Sequence, residues 1–102
     1  MSARAALTVL ALTLGTGQAH AVTAQDYLER FNDDQRFAYM NGALDAMTYS
    51  LATAGQGAKA ECLIDLFFRT PATQDEIAAT FAAHPELPAV AILQVLGDRH
   101  CN

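Results

Sequence analysis

The chain has 102 residues, of which 52% are hydrophobic, and its formal net charge is −5 at pH 7. This length accommodates one small domain. The acidic balance argues against nucleic acid and anionic lipid as partners, because both attract positively charged faces. A basic protein partner is compatible with the charge, although an acidic surface is usually just solvated.

The first 21 residues have the organisation of a secretory signal peptide. Arg4 gives a basic start, Ala5 to Leu14 form an apolar run, and Ala19-His20-Ala21 is a small-x-small cleavage site. The apolar run is too short for a permanent anchor, which needs about 20 residues. We expect cleavage after Ala21, export to the periplasm and a mature chain of residues 22–102, whose net charge is −6 because Arg4 is removed.

The mature chain holds two cysteines, Cys62 and Cys101. An even number of thiols in an oxidising compartment favours a disulfide, and closing this loop of about 39 residues contributes about 4 kcal/mol in the chain-entropy description. The alternative is a zinc site that adds His84 and His100 to the two cysteines. It lacks the short C-x-x-C or H-x-x-x-H spacing of structural zinc, and a catalytic cysteine would need an unpaired thiol.

A short helix is predicted at the start of the mature chain. Thr23 is a suitable N-cap, and Asp26 falls at the third helical position, near the positive end of the helix dipole. Tyr27 and Phe31 contribute to its apolar side, and we expect it to end near Asn32.

The second predicted helix has the strongest periodicity in the chain and extends from about Asp34 to Ala54. Asp33 or Asp34 is its expected N-cap. Gly42 in its middle costs about 1 kcal/mol relative to alanine, so we expect another helix to approach closely there. Its apolar stripe, interpreted as core, consists of Phe37, Met40, Leu44, Met47 and Leu51.

The rest of the chain alternates apolar segments with turn signals. The polar stretch GQGAKAE, from Gly55 to Glu61, is predicted to be a flexible connector. The apolar segment after Cys62 fits either a short helix or an extended buried segment. Thr73 and Glu76 have the spacing of a capping box, and that helix is expected to end at His84.

The last helix should begin between Pro85 and Pro88, with Gly97 as its C-cap. No strand or hairpin pattern occurs in the sequence. The predicted fold is therefore all-α, a small bundle of four to five helices with one disulfide.

The sequence contains no motif for phosphate binding, zinc-dependent hydrolysis or a serine nucleophile. The acidic pairs at helix starts are explained by the helix dipole. Asp45, on the long helix near the apolar stripe, is interpreted as structural. We therefore expect a binding or structural protein and not an enzyme, with no catalytic residue, no metal and no cofactor.

Four features occur in order between Phe37 and Cys101: a helix with the pattern aromatic-x-x-Gly-x-x-Asp-Ala, a Cys-Leu pair, a helix ending at His-Pro-Glu, and a terminal cysteine. In this order they resemble the Rap/Tai immunity-protein family. Two positions depart from the family, since Ile64 and His100 stand where proline is usual, and no role for His100 follows from the sequence. The matching residues are Tyr39, Gly42, Asp45, Ala46, Cys62, Leu63, Gln74, His84, Pro85, Glu86 and Cys101.

The resemblance implies a helical periplasmic protein, often a homodimer, that binds and blocks a peptidoglycan amidase delivered by type VI secretion. The matching positions look like fold determinants, so no inhibitory residue follows from them. We expect the connector to plug the amidase cleft, through Gly55, Gln56, Gly57 and Lys59. The alternative functions are a periplasmic acid-stress chaperone and an accessory envelope protein without a toxin partner.

Overall fold

The computed structural model describes residues 21–102. This part of the chain forms five helices, which confirms the predicted all-α fold. The predicted signal peptide lies outside the described residues, except for Ala21. The helices are α1 (Ala24–Glu29), α2 (Asp33–Thr53), α3 (Gly57–Arg69), α4 (Pro71–Ala83) and α5 (Ala89–His100).

The start of α1 is capped as predicted. The hydroxyl of Thr23 accepts a hydrogen bond from the backbone N–H of Asp26 at 3.1 Å, and the Asp26 carboxylate accepts one from the N–H of Thr23 at 3.2 Å. These reciprocal bonds satisfy two N–H groups that the helix itself leaves unpaired. The helix ends at Glu29, earlier than expected, because Asn32 belongs to the start of α2.

The N-cap of α2 is Asn32, so the prediction of Asp33 or Asp34 was wrong. The Asn32 side chain accepts from the N–H of Gln35 at 2.8 Å, and the Gln35 side chain accepts from the N–H of Asn32 at 2.9 Å. A capping box of two amide side chains satisfies the same backbone groups as one with a carboxylate. Asp33 and Asp34 lie in the first turn instead, where the helix dipole favours negative charge.

A turn of three residues, 54–56, joins α2 to α3, so the flexible connector is shorter than predicted. Gly55 has φ = 80°, a left-handed conformation that glycine adopts without a steric penalty. The N–H of Gln56 donates to the carbonyl of Leu51 at 2.8 Å, which closes the turn on the end of α2. Gly57 and Lys59 are therefore helical, and the open choice for the following segment is settled as a helix, α3.

The predicted capping box at Thr73 is absent, because α4 begins two residues earlier at Pro71. Proline is favoured in the first turn of a helix, since its fixed φ suits the helix and its missing N–H needs no partner there. Thr70 occupies the N-cap position, and Thr73 is buried with 3% of its surface exposed. The helix ends with His84 as its C-cap, as predicted.

The last helix begins after Pro88, within the predicted range, but Gly97 is not its C-cap. The helix continues to His100, so Gly97 lies inside it. There the missing side chain of Gly97 leaves space for a residue of a neighbouring helix. A Cβ atom placed on Gly97 would lie 2.7 Å from Cδ2 of Leu63, inside van der Waals contact. Gly97 therefore allows α5 to pack closely against α3.

The chain segment before α1 is hydrogen-bonded to the segment before α5. The N–H of Ala24 donates to the carbonyl of Leu87, and the N–H of Ala89 donates to the carbonyl of Val22, both at 2.9 Å. The N–H of Gln25 adds a bond to the carbonyl of Pro85 at 3.0 Å. These bonds hold α1 against the loop that joins α4 to α5.

The predicted disulfide joins Cys62 in α3 to Cys101, directly after α5, with a Cα–Cα distance of 5.7 Å. Because each sulfur is bonded to the other, the cysteines do not provide thiolate ligands, and the zinc alternative is set aside. The bond lies at the edge of one core to which all five helices contribute. The core comprises Ala24, Met40, Leu44, Leu63, Phe67, Ile77, Phe81, Ala89, Ile92, Leu93, Leu96 and Cys101.

Candidate functional site

Helices α2 and α3 form a hairpin, and two depressions lie between them. One of the two also has Tyr27 of α1 and Gln74 of α4 in its lining. We call the two depressions together the outer groove. The contributing residues recur every three or four positions on each helix, as required for residues that share one helical face. They are Phe37, Asn41, Asp45, Thr48, Tyr49 and Ala52 from α2, and Gly57, Ala60, Glu61, Ile64 and Phe68 from α3.

Three large aromatic side chains of the outer groove are exposed. Phe37 is 72% exposed, Tyr49 is 73% exposed and Phe68 is 49% exposed. Phe37 and Tyr49 are 12 positions apart in α2, which is about 18 Å along a helix. Exposed aromatic side chains of this kind are typical of protein-binding surfaces, where they bury a large area at low entropic cost.

The prediction that Phe37 belongs to the core was wrong, because this side chain is 72% exposed. It follows the spacing of the apolar stripe, and Met40 and Leu44 of that stripe are buried. However, Phe37 lies near the start of α2 at the rim of a depression, and the neighbouring side chains leave most of it exposed. The sequence offers one hint of this exposure, because Asn41 and Asp45 follow Phe37 at intervals of four residues.

The outer groove contains two depressions. One has a volume of about 310 Å³, and its lining includes Phe37, Phe68 and Arg36. The other has a volume of about 500 Å³ and lies beside Tyr49, between α2 and the first half of α3. Asp45 and Glu61, both exposed, belong to the lining of this second depression.

Asp45 and Glu61 have no hydrogen-bond or ion-pair partner for their carboxylates among residues 21–102. The basic side chains of this part of the chain all have acidic partners, and the lining of the depression that holds Asp45 and Glu61 includes no basic residue. Their ion pairs are Arg30–Asp26, Arg36–Asp33, Lys59–Asp98, Arg69–Asp65 and Arg99–Glu76.

The close approach of a helix predicted at Gly42 does not occur within the described residues. A Cβ atom built on Gly42 would meet nothing within 4 Å. Gly42 lies three residues before Asp45 and is exposed, as is Ala46. The middle of α2 thus presents small residues to solvent, outside the lining of the two depressions of the outer groove.

The predicted connector residues are distributed over two kinds of structure. Gly55 and Gln56 lie in the exposed turn between α2 and α3. Gly57 begins α3 and lines the depression beside Tyr49. The ammonium group of Lys59 pairs with the Asp98 carboxylate on α5 at 2.7 Å, so this side chain is held against the domain.

A second groove, of about 460 Å³, lies between α2 and α5. Met47 and Leu63 contribute apolar area to it, and the Lys59–Asp98 pair spans from α3 to α5 at its edge.

Several residues of the family pattern have structural roles. The Tyr39 ring packs edge-on against those of Tyr27 and Phe31, and burial raises the pKa of the Tyr39 hydroxyl above its ordinary value. The amide of Gln74 donates to the carbonyl of Phe67 at 3.1 Å, which ties α4 to α3. Leu63 is in the core, His84 ends α4 and Pro85 bonds to α1, whereas Gly42, Asp45, Ala46 and Glu86 are exposed.

His100 has a partner that the sequence did not reveal. Its Nε2 atom lies 3.0 Å from Oε1 of Glu76, and the Arg99 guanidinium lies 3.5 Å from the same oxygen. The contact joins the end of α5 to α4, one residue before the disulfide. It connects residues 24 apart in the chain, so no local pattern could have predicted it.

Within residues 21–102, no group of three or more histidine, cysteine, aspartate and glutamate side chains is arranged to hold a metal ion. No helix of this part of the chain is both long enough and apolar enough to span a bilayer. Comparisons with protein-family models, curated proteins and solved structures find no match for the chain.

Proposed function

We propose that this protein is a periplasmic binding protein that acts as an immunity protein of the Rap/Tai type. In this role it binds a peptidoglycan amidase delivered by type VI secretion and blocks its active site. The observation that carries the binding function is the outer groove, where Phe37, Tyr49 and Phe68 expose aromatic area.

The exposed aromatics support binding because a small domain gains stability by burying such side chains. The core of this protein already contains Phe67 and Phe81, each at most 3% exposed. Leaving three further aromatics in water on one helical hairpin is more consistent with a contact surface than with stability.

The disulfide supports an extracytoplasmic location, because such bonds persist in oxidising compartments. Cleavage after Ala21 would also preserve the fold. The first hydrogen bond to the loop before α5 involves Val22, which lies on the mature side of that site. The proposed mature chain therefore retains these hydrogen bonds, which hold α1 against the loop in the part of the chain that the structure describes.

The specific partner class is taken from the resemblance to the Rap/Tai family. Support comes from the roles of its pattern residues, since Tyr39, Gln74 and the cysteine pair all join separate elements of the fold. The departure at Ile64 marks a difference from the family in this segment, because Ile64 lies inside α3, where a proline would interrupt the helix.

The turn between α2 and α3 is the proposed inhibitory element. Gly55 and Gln56 form the tip of the hairpin, and Gly57 connects this tip to the depression beside Tyr49. A narrow tip inserts into an enzyme cleft, while the adjacent groove contacts the rim of that cleft.

Co-purification tests this function. The chain, tagged at its C-terminus, is purified from the periplasm of the organism that encodes it, and a peptidoglycan hydrolase should be enriched. The purified protein should then suppress release of peptides from peptidoglycan by that hydrolase. Enrichment of no hydrolase, or a bound hydrolase of undiminished activity, would refute the proposal.

The inhibitory tip is tested separately with a Gln56→Ser/Lys59→Ser variant, which should weaken inhibition about tenfold. Asp98→Ser is the matched control, because it breaks the same Lys59–Asp98 pair without altering the connector. Equal loss of inhibition in both variants would mean that the ion pair, and not the connector, is responsible.

The exposed aromatics also suit the alternative of an acid-stress chaperone, which would use them to hold unfolded clients. That function requires the protein to loosen at low pH and to suppress aggregation of a client protein. If the bundle is compact at pH 2 and a client aggregates unhindered, the chaperone alternative is rejected.

A further inference from the structure

The depression beside Tyr49 combines apolar area with negative charge. Ala52, Ala60 and Ile64 provide small or apolar lining. Two acidic residues, Asp45 of α2 and Glu61 of α3, line the same depression. Tyr49 itself is 73% exposed, so its ring face is available for contact. A partner that covers this depression must match both properties.

The charge of this depression is not balanced from within the domain. Lys59 is only two residues from Glu61, but its ammonium group is bonded to Asp98 at 2.7 Å. Arg69 pairs with Asp65 on the same helix. An apolar or acidic partner surface would leave two carboxylates desolvated and unpaired, which costs free energy. A cationic side chain removes this cost.

We propose that the outer groove binds a protein segment that presents an arginine side chain to Asp45 and Glu61 and packs apolar side chains against Tyr49 and Ile64. The planar guanidinium group stacks on an aromatic ring and pairs with carboxylates through several N–H groups. A lysine provides the charge without the planar stacking. The inference deepens the proposed function, and it rests on the protein's being a binding protein but not on the partner's being an amidase.

A peptide titration tests this chemistry without requiring the natural partner. The probe is the capped peptide acetyl-Leu-Ala-Arg-Ala-Leu-amide, and its control is the same peptide with citrulline, which has the shape of arginine without its charge. Amide resonances of the protein are followed by NMR during the titration. We expect the largest shifts at Asp45, Tyr49, Gly57 and Glu61, and about tenfold weaker binding of the citrulline peptide.

Two double variants determine whether these carboxylates are responsible. Asp45→Asn/Glu61→Gln should weaken binding of the arginine peptide about tenfold. Asp75→Asn/Glu86→Gln removes the same charge from two exposed carboxylates outside the groove and should leave binding within twofold of the wild type. Both variants change surface positions, so folding is checked by their circular dichroism spectra.

The inference is overturned if the two double variants weaken binding equally, if the citrulline peptide binds as well as the arginine peptide, or if the shifts lie outside the outer groove. Absence of binding by either peptide also overturns it. These outcomes are independent of co-purification with a hydrolase. If the protein binds a hydrolase but does not bind the arginine peptide, the proposed recognition of arginine by the outer groove is refuted and the proposed function is not.

Discussion

Gly42 and Gly97 are both inside helices, but they have opposite surroundings. Gly97 is buried and faces Leu63, whereas Gly42 is exposed and has no atom within 4 Å of a Cβ position. A glycine inside a helix costs about 1 kcal/mol relative to alanine. The packing of α5 on α3 offsets this cost at Gly97, and nothing within the described residues offsets it at Gly42.

The two alanine substitutions should therefore change stability in opposite directions. Gly42→Ala should raise the free energy of unfolding by about 0.5–1 kcal/mol, because helix propensity improves without a clash. Gly97→Ala should lower it by about 1–3 kcal/mol, because the methyl group forces the Leu63 side chain out of its position. Urea unfolding of the purified proteins measures both, and a shift of the same sign in both variants would contradict this explanation.

Two half-buried tyrosines, Tyr27 and Tyr39, make the stability of the protein depend on pH in the alkaline range. Burial raises the pKa of both Tyr27 and Tyr39 above 10.0, although the positive charge of Arg36 partly opposes this at Tyr27. The folded state thus holds these protons more tightly than the unfolded chain. Their contribution to stability is complete below pH 10 and is lost as the pH rises through the raised pKa values.

Stability should accordingly fall between pH 9 and pH 11, and the fall should be smaller in a Tyr27→Phe/Tyr39→Phe variant, which has no hydroxyl to ionise at these positions. Urea unfolding at the two pH values provides the measurement. Tyr49→Phe changes an exposed ring and is the control. An unchanged loss of stability in the double variant would exclude Tyr27 and Tyr39 as its source.

At the scale of elements, Arg36 explains how the short α1 is attached to the long α2. Its guanidinium donates hydrogen bonds to the carbonyl of Tyr27 at 3.0 Å and to that of Leu28 at 2.6 Å. It also lies 5.8 Å from the centre of the Tyr27 ring. Carbonyls near the end of a helix lack intrahelical partners, so a cation there satisfies them and complements the helix dipole.

Arg36→Met should lower the free energy of unfolding by about 1.5–3 kcal/mol, because it removes charged hydrogen bonds to partly buried carbonyls. Arg30→Met is the matched control, since its pair with Asp26 is exposed and contributes less than about 1 kcal/mol. Thermal unfolding of the two variants compares them directly. If Arg30→Met destabilised as much as Arg36→Met, the attachment of α1 would not depend on these bonds.

Local sequence patterns predicted the helices, but they did not always predict the residues at which the helices begin. The apolar spacing in α2 is strong enough to place this helix within one or two residues. Its cap was misassigned because Asn32 and Gln35 form a capping box without a carboxylate. Thr73 had the right spacing for a cap, but Pro71 two residues earlier is a stronger helix start.

The outer groove could not be predicted, because exposure depends on which helices pack beside one another. Phe37 and Leu44 belong to the same apolar stripe, yet Phe37 is 72% exposed and Leu44 is 1% exposed. Only the position of the other helices decides between them. The disulfide could be predicted because it depends on cysteine number and compartment, which are properties of the sequence.

At the scale of the whole molecule, the disulfide closes a loop of 39 residues that contains all of α4 and α5. Replacement of both Cys62 and Cys101 by alanine should lower the free energy of unfolding by about 4 kcal/mol. The wild-type protein in excess reductant should unfold at a urea concentration similar to that of the double alanine variant, since both lack the disulfide. A loss below about 1 kcal/mol would show that the hydrophobic core alone holds α5 in place.

The central claim is that the protein binds a peptidoglycan hydrolase through the outer groove, and one affinity comparison tests it. Binding of the co-purified hydrolase is measured by calorimetry for the wild type, Tyr49→Ser and Val95→Ser. Val95 is 56% exposed on α5 and serves as an equally apolar control outside the groove. We predict about tenfold weaker binding for Tyr49→Ser and binding within twofold of the wild type for Val95→Ser. A wild-type protein that binds no hydrolase, or equal weakening in both variants, would contradict the claim.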